Sequence, residues 1–324
     1  MIDLSANENP LGPSESVRAR LAAAIVERYP DSSARALRAR LAALHGCELE
    51  QVCVGAGSTD LIFHLVAAFG AGGDLVAPRH SFIAWRLATQ HTLTTYREAG
   101  DGLATDLEGL LAAITPDTTL VCVVNPANPT GAFVPRDALL AFLSRVPDDV
   151  MVVLDEAYAE YVEPPAACVG PEVLRSHANV LVLRTFSKAY GLAGLRVGYV
   201  LGAPTPIATL EQRRPPFSVS APAQAAALAA LDDVHHLETT VRLAQRERAR
   251  VGRALTELGF EVLPSQANFL CVRTGDGERA ASTLKANGVA VMPLSAYGLP
   301  EWVRITLGTV ETNDRLVTSM TMTR

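Results

Sequence analysis

Short apolar runs recur along the first two thirds of this chain: Val52 to Val54, Leu75 to Ala77, Leu120 to Val124, Met151 to Leu154, Val180 to Leu183 and Val197 to Leu201. Each is too short for a helix and reads as a buried strand. The stretches between them, such as Asp60 to Phe69 and Pro135 to Val146, are long enough for crossover helices. That alternation predicts an α/β layer around a mostly parallel central sheet. From about Arg214 the texture changes. Pro215-Pro216 interrupts the chain, an Ala-rich and Arg-rich helical tract follows to Leu258, then strand-like Glu261 to Leu263 and Phe269 to Val272, a helix, and Val289 to Met292. These patterns divide the chain into an N-terminal segment (1–28) that contains a helix running to Arg28 and packs with the small domain, a large domain (29–213), and a smaller α+β domain (214–324).

Ligands of open α/β sheets sit at the carboxyl ends of the strands. Three segments fall there: Gly55-Ala56-Gly57-Ser58-Thr59-Asp60, Asn125-Pro126-Ala127-Asn128-Pro129-Thr130-Gly131, and Asp155-Glu156-Ala157-Tyr158. Ser58 and Thr59 stand where a helix N-terminus offers free N–H groups to a phosphate, although a simple N-cap is the alternative reading of Ser58. Two prolines flank Asn128 and define a turn that either holds its amide rigidly or is only a turn. Asp155 closes an apolar run, and a buried carboxylate there calls for a cationic partner.

Composition narrows the picture. A net charge of -6 and the absence of any long basic run argue against nucleic acid. Arg213-Arg214 and the stripe Arg242, Arg246, Arg250 and Arg253 read as solvated faces. Cys47, Cys53, Cys122, Cys168 and Cys271 are scattered and odd in number, which suits a reduced, cytoplasmic setting without metal. No apolar run is long enough to span a membrane, and the polar start has no secretory leader.

Only two lysines occur, Lys188 and Lys285, and the first lies in Thr185-Phe186-Ser187-Lys188 ahead of Gly191, Gly194 and Arg196. A GC-rich genome depletes lysine, so scarcity alone carries little weight. Position carries more: an amine beside small hydroxyls and an arginine suits a carbonyl cofactor that bears a phosphate. Thr185, Ser187 and Arg196 are the candidate anion contacts. A free lysine titrates near ~10.4, so such an amine needs an apolar, cationic site to be nucleophilic at neutrality.

Taken in order, Asn7-Glu8-Asn9-Pro10, Tyr29-Pro30-Asp31, Asn125 to Gly131, Asp155 to Tyr158, Thr185 to Tyr199, Pro216 to Ser220, and Ala267-Asn268-Phe269 to Thr309 resemble the class I/II, fold-type-I aminotransferases that depend on pyridoxal 5'-phosphate, and most of all the histidinol-phosphate aminotransferase group. The resemblance implies helices on both faces of the sheet and a homodimer with active sites at the subunit boundary. It implies that Lys188 forms the Schiff base and shuttles the proton, that Asp155 keeps the pyridine nitrogen protonated, and that Asn128 and Tyr158 bond the phenolic oxygen. Ser58, Thr59, Thr185, Ser187 and Arg196 would hold the phosphate, with Tyr29 reaching in from the neighbouring subunit. Arg304 would clamp the carboxylate of the amino donor or 2-oxo acid acceptor, with Asn9 also at the substrate.

Two positions depart from the group. Met292 stands where an arginine usually meets the phosphate tail of histidinol phosphate, so an aromatic or other apolar donor becomes an alternative unless Arg213 or Arg214 swings in. His80 stands where an aromatic ring often stacks on the cofactor. The chain also begins close to its first motif, which leaves little N-terminal arm for dimer contacts. A decarboxylase resembling threonine-phosphate decarboxylase shares the early texture, but Gly191 to Arg196 looks like the aminotransferase version. A pyridoxal-phosphate-sensing regulator would need a DNA-binding segment for which no residues remain.

Overall fold

The computed structural model describes residues 1–24, 26–164 and 170–323, so Cys168 lies outside the described residues. A seven-stranded sheet runs in the order Val52–Gly55, Gly198–Leu201, Val180–Thr185, Met151–Asp155, Thr118–Val124, Asp74–Pro78, Thr95–Ala99. Gly198–Leu201 is antiparallel to both neighbours and every other pairing is parallel. All six predicted runs are therefore strands of one α/β layer. Alternate residues of one strand feed two cores: Val121 and Val123 pack on one face, Leu120, Cys122 and Val124 on the other. Burial on both faces is why these strands read as unbroken apolar runs.

Thr95–Ala99 was not legible as a strand. It is one of the two sheet edges, mostly exposed, and carries Arg97 to an ion pair with Asp74, so nothing in it alternates cleanly. The first helix is Glu15–Ala22, capped by Ser14, and does not reach Arg28. Residues 26–29 are exposed, so no packing supports further turns there. A further helix, Arg35–His45, buries Leu37 and Leu41 and stops at Gly46, whose φ is 62°.

The Ala-rich tract is two helices, Ala221–Asp232 and Val234–Glu257. Ala223, Ala226, Ala227 and Ala230 of the first pack into a core of the large sheet. The second flanks a four-stranded antiparallel sheet ordered Met292–Pro293, Trp302–Thr306, Phe269–Arg273, Glu261–Val262. The run from Val289 to Met292 divides, because Val289–Ala290 pairs instead with the N-terminal strand Ile2–Asp3. Leu4 enters the core of this smaller unit. No described helix is long and apolar enough to cross a membrane.

Candidate active site

The carboxyl ends of the parallel strands open into a cavity of about 540 Å³, lined also by the N-terminal segment and the smaller sheet. Ser58, Thr59, Asn128, Asp155, Tyr158, Ser187, Lys188, Arg196, Met292 and Arg304 all face it. Ten residues singled out from the sequence thus meet in one place although they span most of the chain.

Asp155 ends its strand 3% exposed. Its Oδ2 accepts from Trp85 Nε1 at 3.2 Å and its Oδ1 from the Ala157 amide at 3.3 Å. Among the described residues no cationic side chain pairs with it, and burial raises its pKa to about 6 against those two hydrogen bonds. Lys188 shifts the other way. Burial first, then the charges of Arg304 and Arg196, lower its pKa to about 8, while Glu8 and Asp155 act against the shift. Its Nζ donates to the Ala6 carbonyl at 3.1 Å. Burial pushes the Tyr158 phenol up to about 12, and its hydroxyl accepts from Asn7 Nδ2 at 2.9 Å.

The candidate anion cradle draws on three elements. Ser58 and Thr59 begin the helix Ser58–Leu65, behind Gly57, whose φ of 93° suits glycine. Arg196 follows a 3-10 turn, itself at φ 55°, and its Nη1 donates to Ala193 O at 2.8 Å and Ser187 Oγ at 3.3 Å. Thr185 stands one layer back, its Oγ1 accepting from the Ser187 amide at 3.1 Å. Opposite, Arg304 donates through Nη1 to Asn128 Oδ1 and through Nη2 to Ser5 O, both at 2.6 Å, and its buried Nε has no hydrogen-bond partner among the described residues.

Five other singled-out residues lie outside this cavity. His80 does not line the cavity: its backbone turns at φ 60° and its Nδ1 meets Tyr297 O at 2.6 Å, while Phe82, two residues on, takes the cavity wall. Asn9 braces the chain behind the site, its Nδ2 donating to Ala189 O at 3.0 Å and Thr240 Oγ1 at 3.2 Å. Asn7 is the asparagine of that motif that faces the cavity. Neither Arg213 nor Arg214 lines the cavity of its own chain beside Met292, and Arg214 is held by Glu211, Ser218 and Ser32. Tyr29, 85% exposed, lies outside its own chain's cavity with its ring centroid 5.0 Å from that of Phe217. Asn7, Glu8, Phe82, Trp85 and Tyr297 were missed. Phe82 brings an aromatic ring to the cavity two residues after His80, where the resemblance implied one.

The donor set fits pyridoxal phosphate. A buried carboxylate without a protein cation suits a pyridinium nitrogen, a lysine displaced toward neutrality suits a carbonyl, and a helix N-terminus with serine and arginine suits a phosphate. Fold and cavity together are those of a group-transfer enzyme that works through a phosphorylated carbonyl cofactor.

Comparison with known proteins narrows that class. The aminotransferase class I and II family model matches residues 1–320. Histidinol-phosphate aminotransferase 2 of Ralstonia nicotianae is 42% identical over 99% of this chain and 88% of its own length. The histidinol-phosphate aminotransferase of Erythrobacter litoralis is 44% identical over 98% of this chain and 89% of its own. The crystal structure of histidinol-phosphate aminotransferase from Sinorhizobium meliloti in complex with pyridoxal-5'-phosphate superposes with a TM-score of 0.91 at 30% identity, covering 99% of this chain and 90% of that one. The chain belongs to the class I and II aminotransferases.

Proposed function

We propose that this pyridoxal-phosphate-dependent aminotransferase moves the amino group of histidinol phosphate to a 2-oxo acid. The observation that carries the reading is the meeting of Lys188, Asp155 and Arg304 in one cavity of a chain more than 40% identical to histidinol-phosphate aminotransferases along nearly its full length. The relatives are aminotransferases, so the decarboxylase alternative is not favoured.

Bound pyridoxal phosphate supplies a carbonyl that condenses with amines and a ring that accepts electrons from the substrate's alpha carbon. The chain's own residues do the rest. Lys188 Nζ, its pKa lowered to about 8, is the base that takes and returns the proton of that carbon. Asp155 holds a proton on the ring nitrogen by charge. Asn128 and Tyr158 would hydrogen-bond the ring oxygen, and Ser58, Thr59, Ser187 and Arg196, backed by Thr185, would hold the phosphate. Arg304 binds the anionic group of donor or acceptor, and Met292, paired in register with Arg304, faces the substrate as an apolar wall.

Three wider proposals accompany this one. The enzyme works as a homodimer, supported by the exposed cluster of Val26, Tyr29 and Phe217, which suits a partner surface from which Tyr29 reaches the neighbouring site. It works in the cytoplasm, a setting that suits the free Cys47, Cys53, Cys122 and Cys271. The large domain extends to about Asp232, because the alanine face of Ala221–Asp232 packs on its sheet.

The substrate proposal is tested by steady-state kinetics with histidinol phosphate and a panel of aromatic and aliphatic amino acids. Histidinol phosphate should have the highest kcat/KM. Met292→Arg should lower its KM about tenfold or more, the worth of one charge-assisted contact, with no such gain for donors lacking phosphate. A higher kcat/KM for tyrosine or phenylalanine in the unaltered enzyme would reject histidinol phosphate as the donor.

A further inference from the structure

His80 is displaced from the role expected of it, yet it is held in a costly conformation. It has a φ of 60°, a region a residue with a side chain occupies at a cost unless its surroundings enforce it. It lies between the large-sheet strand Asp74–Pro78 and the helix Ile83–Thr89. Its partner, the Tyr297 carbonyl, belongs to the 3-10 turn Ser295–Tyr297, which follows Met292–Pro293 of the smaller sheet. A carbonyl only accepts, so the imidazole donates through Nδ1. A longer contact runs alongside, from Arg86 Nη2 to Ala296 O at 3.5 Å. Gly298 lies against the ring, where an added Cβ would stand 3.6 Å from it.

The turn is also tied to its own sheet. The Tyr297 and Leu299 amides donate to Leu294 O at 2.9 and 3.1 Å, and Tyr297 and Met292 pack on Leu294, Leu299 and Trp302. Tyr297, Met292 and Arg304 line the cavity together with Phe82 and Ile83, and the Tyr297 hydroxyl bonds both Arg304 and the Ile83 backbone. His80 is therefore bonded to the backbone of Tyr297 and part of the chain that leads into Phe82 and Ile83.

We propose that His80 is a positioning residue, a latch whose imidazole fastens the Ser295–Tyr297 turn to the large sheet and so fixes Tyr297 and its neighbours Met292 and Arg304 against the substrate. The latch acts through Tyr297 and touches neither cofactor nor substrate. It rests on the transamination reading only for its kinetic readout.

Three variants separate the latch from the backbone turn in the cofactor-loaded enzyme. Asparagine tolerates positive φ and offers a donor in a similar place; glycine accepts the backbone but has no donor; alanine has neither advantage. Amide hydrogen exchange over 295–299 is read first, then kcat and KM for the amino donor. With a latch, His80→Asn matches the unaltered enzyme. His80→Gly and His80→Ala exchange faster over that turn and raise KM about two- to tenfold, the range of one hydrogen bond, with kcat within about twofold. A His80→Gly enzyme with unaltered exchange and KM overturns the latch, and so does a His80→Asn enzyme as impaired as His80→Gly. Exchange does not depend on turnover, so an unaltered enzyme inactive toward every donor would refute the transamination reading and leave the latch to be judged by exchange alone.

Discussion

Asp155 and Lys188 leave their ordinary titration ranges in opposite directions for one reason: burial disfavours the charged form of both. For Asp155 this has a consequence in the cofactor-free chain. With a folded pKa of about 6 against 3.8 for the free side chain, the folded state holds the proton more tightly than the unfolded one. Its contribution to stability is therefore fully present below pH ~4 and is lost as pH rises to ~6, by about 3 kcal/mol in all. Urea unfolding of cofactor-free protein across that interval should show the loss in the unaltered chain. It should be absent from Asp155→Asn, which cannot ionise. Equal pH slopes for the two would mean that Asp155 is already charged or compensated. Bound cofactor should reverse the cost, since a pyridinium supplies the missing cation. Asp155→Ala should accordingly reduce turnover far more than it weakens cofactor binding, and near-normal rates in that variant would remove Asp155 from the chemistry.

At the scale of elements, the cradle depends on a close approach that only glycine permits. Gly57 has φ 93°, and a Cβ there would stand 2.5 Å from Arg196 Nη2. Gly57→Ala should strain the turn by about 1–3 kcal/mol and displace the arginine, weakening cofactor binding at least about tenfold with little change in helix content. Fluorescence titration with pyridoxal phosphate reads the affinity and far-UV circular dichroism the helix content. Unchanged affinity would place the phosphate away from Arg196 and the helix start. The strands that carry this site were legible because they are buried on both faces, and the ends of those strands gave Ser58, Asn128, Asp155 and Lys188 their places. What was not legible depends on side-chain direction across long separations. His80 and Phe82 are two residues apart, but a positive φ at the first sends one to the Tyr297 turn and leaves the other on the cavity wall. Asn7 and Asn9 present the same ambiguity. Asn7, also at positive φ, bonds Tyr158, while Asn9 bonds Ala189 and Thr240, and no local pattern distinguishes them. The edge strand Thr95–Ala99 escaped because, unlike the buried edge Val52–Gly55, it is mostly exposed and needs no apolar run.

Across the whole molecule, the N-terminal segment joins the two sheets through the site. Asn7 donates its amide to Thr306 Oγ1 at 2.9 Å on the smaller sheet and its Nδ2 to Tyr158 at 2.9 Å beyond the end of a large-sheet strand. Just before it in the chain, Ser5 O accepts from Arg304 and Ala6 O from Lys188. If Lys188 and Arg304 act as proposed, the Lys188 to Ala6 bond is given up when the amine takes part in chemistry, and the Asn7 to Tyr158 bond then joins the sheets beside the direct Arg304 to Asn128 bond. Cofactor and an unreactive dicarboxylate should therefore bind cooperatively, each raising the affinity for the other by the same factor. Asn7→Gly, which accepts the native φ of 56° but has no side chain, should bring that factor toward one while leaving the fold intact. The coupling at stake is that of one or two hydrogen bonds, about 1–2 kcal/mol, or roughly five- to thirtyfold in affinity. Calorimetric titration of the dicarboxylate into cofactor-free and cofactor-loaded protein measures it directly. If the factor in Asn7→Gly equals that of the unaltered chain, the two sheets communicate through the cofactor or through Arg304 and Asn128 instead, and the N-terminal segment is a covering strand rather than a link.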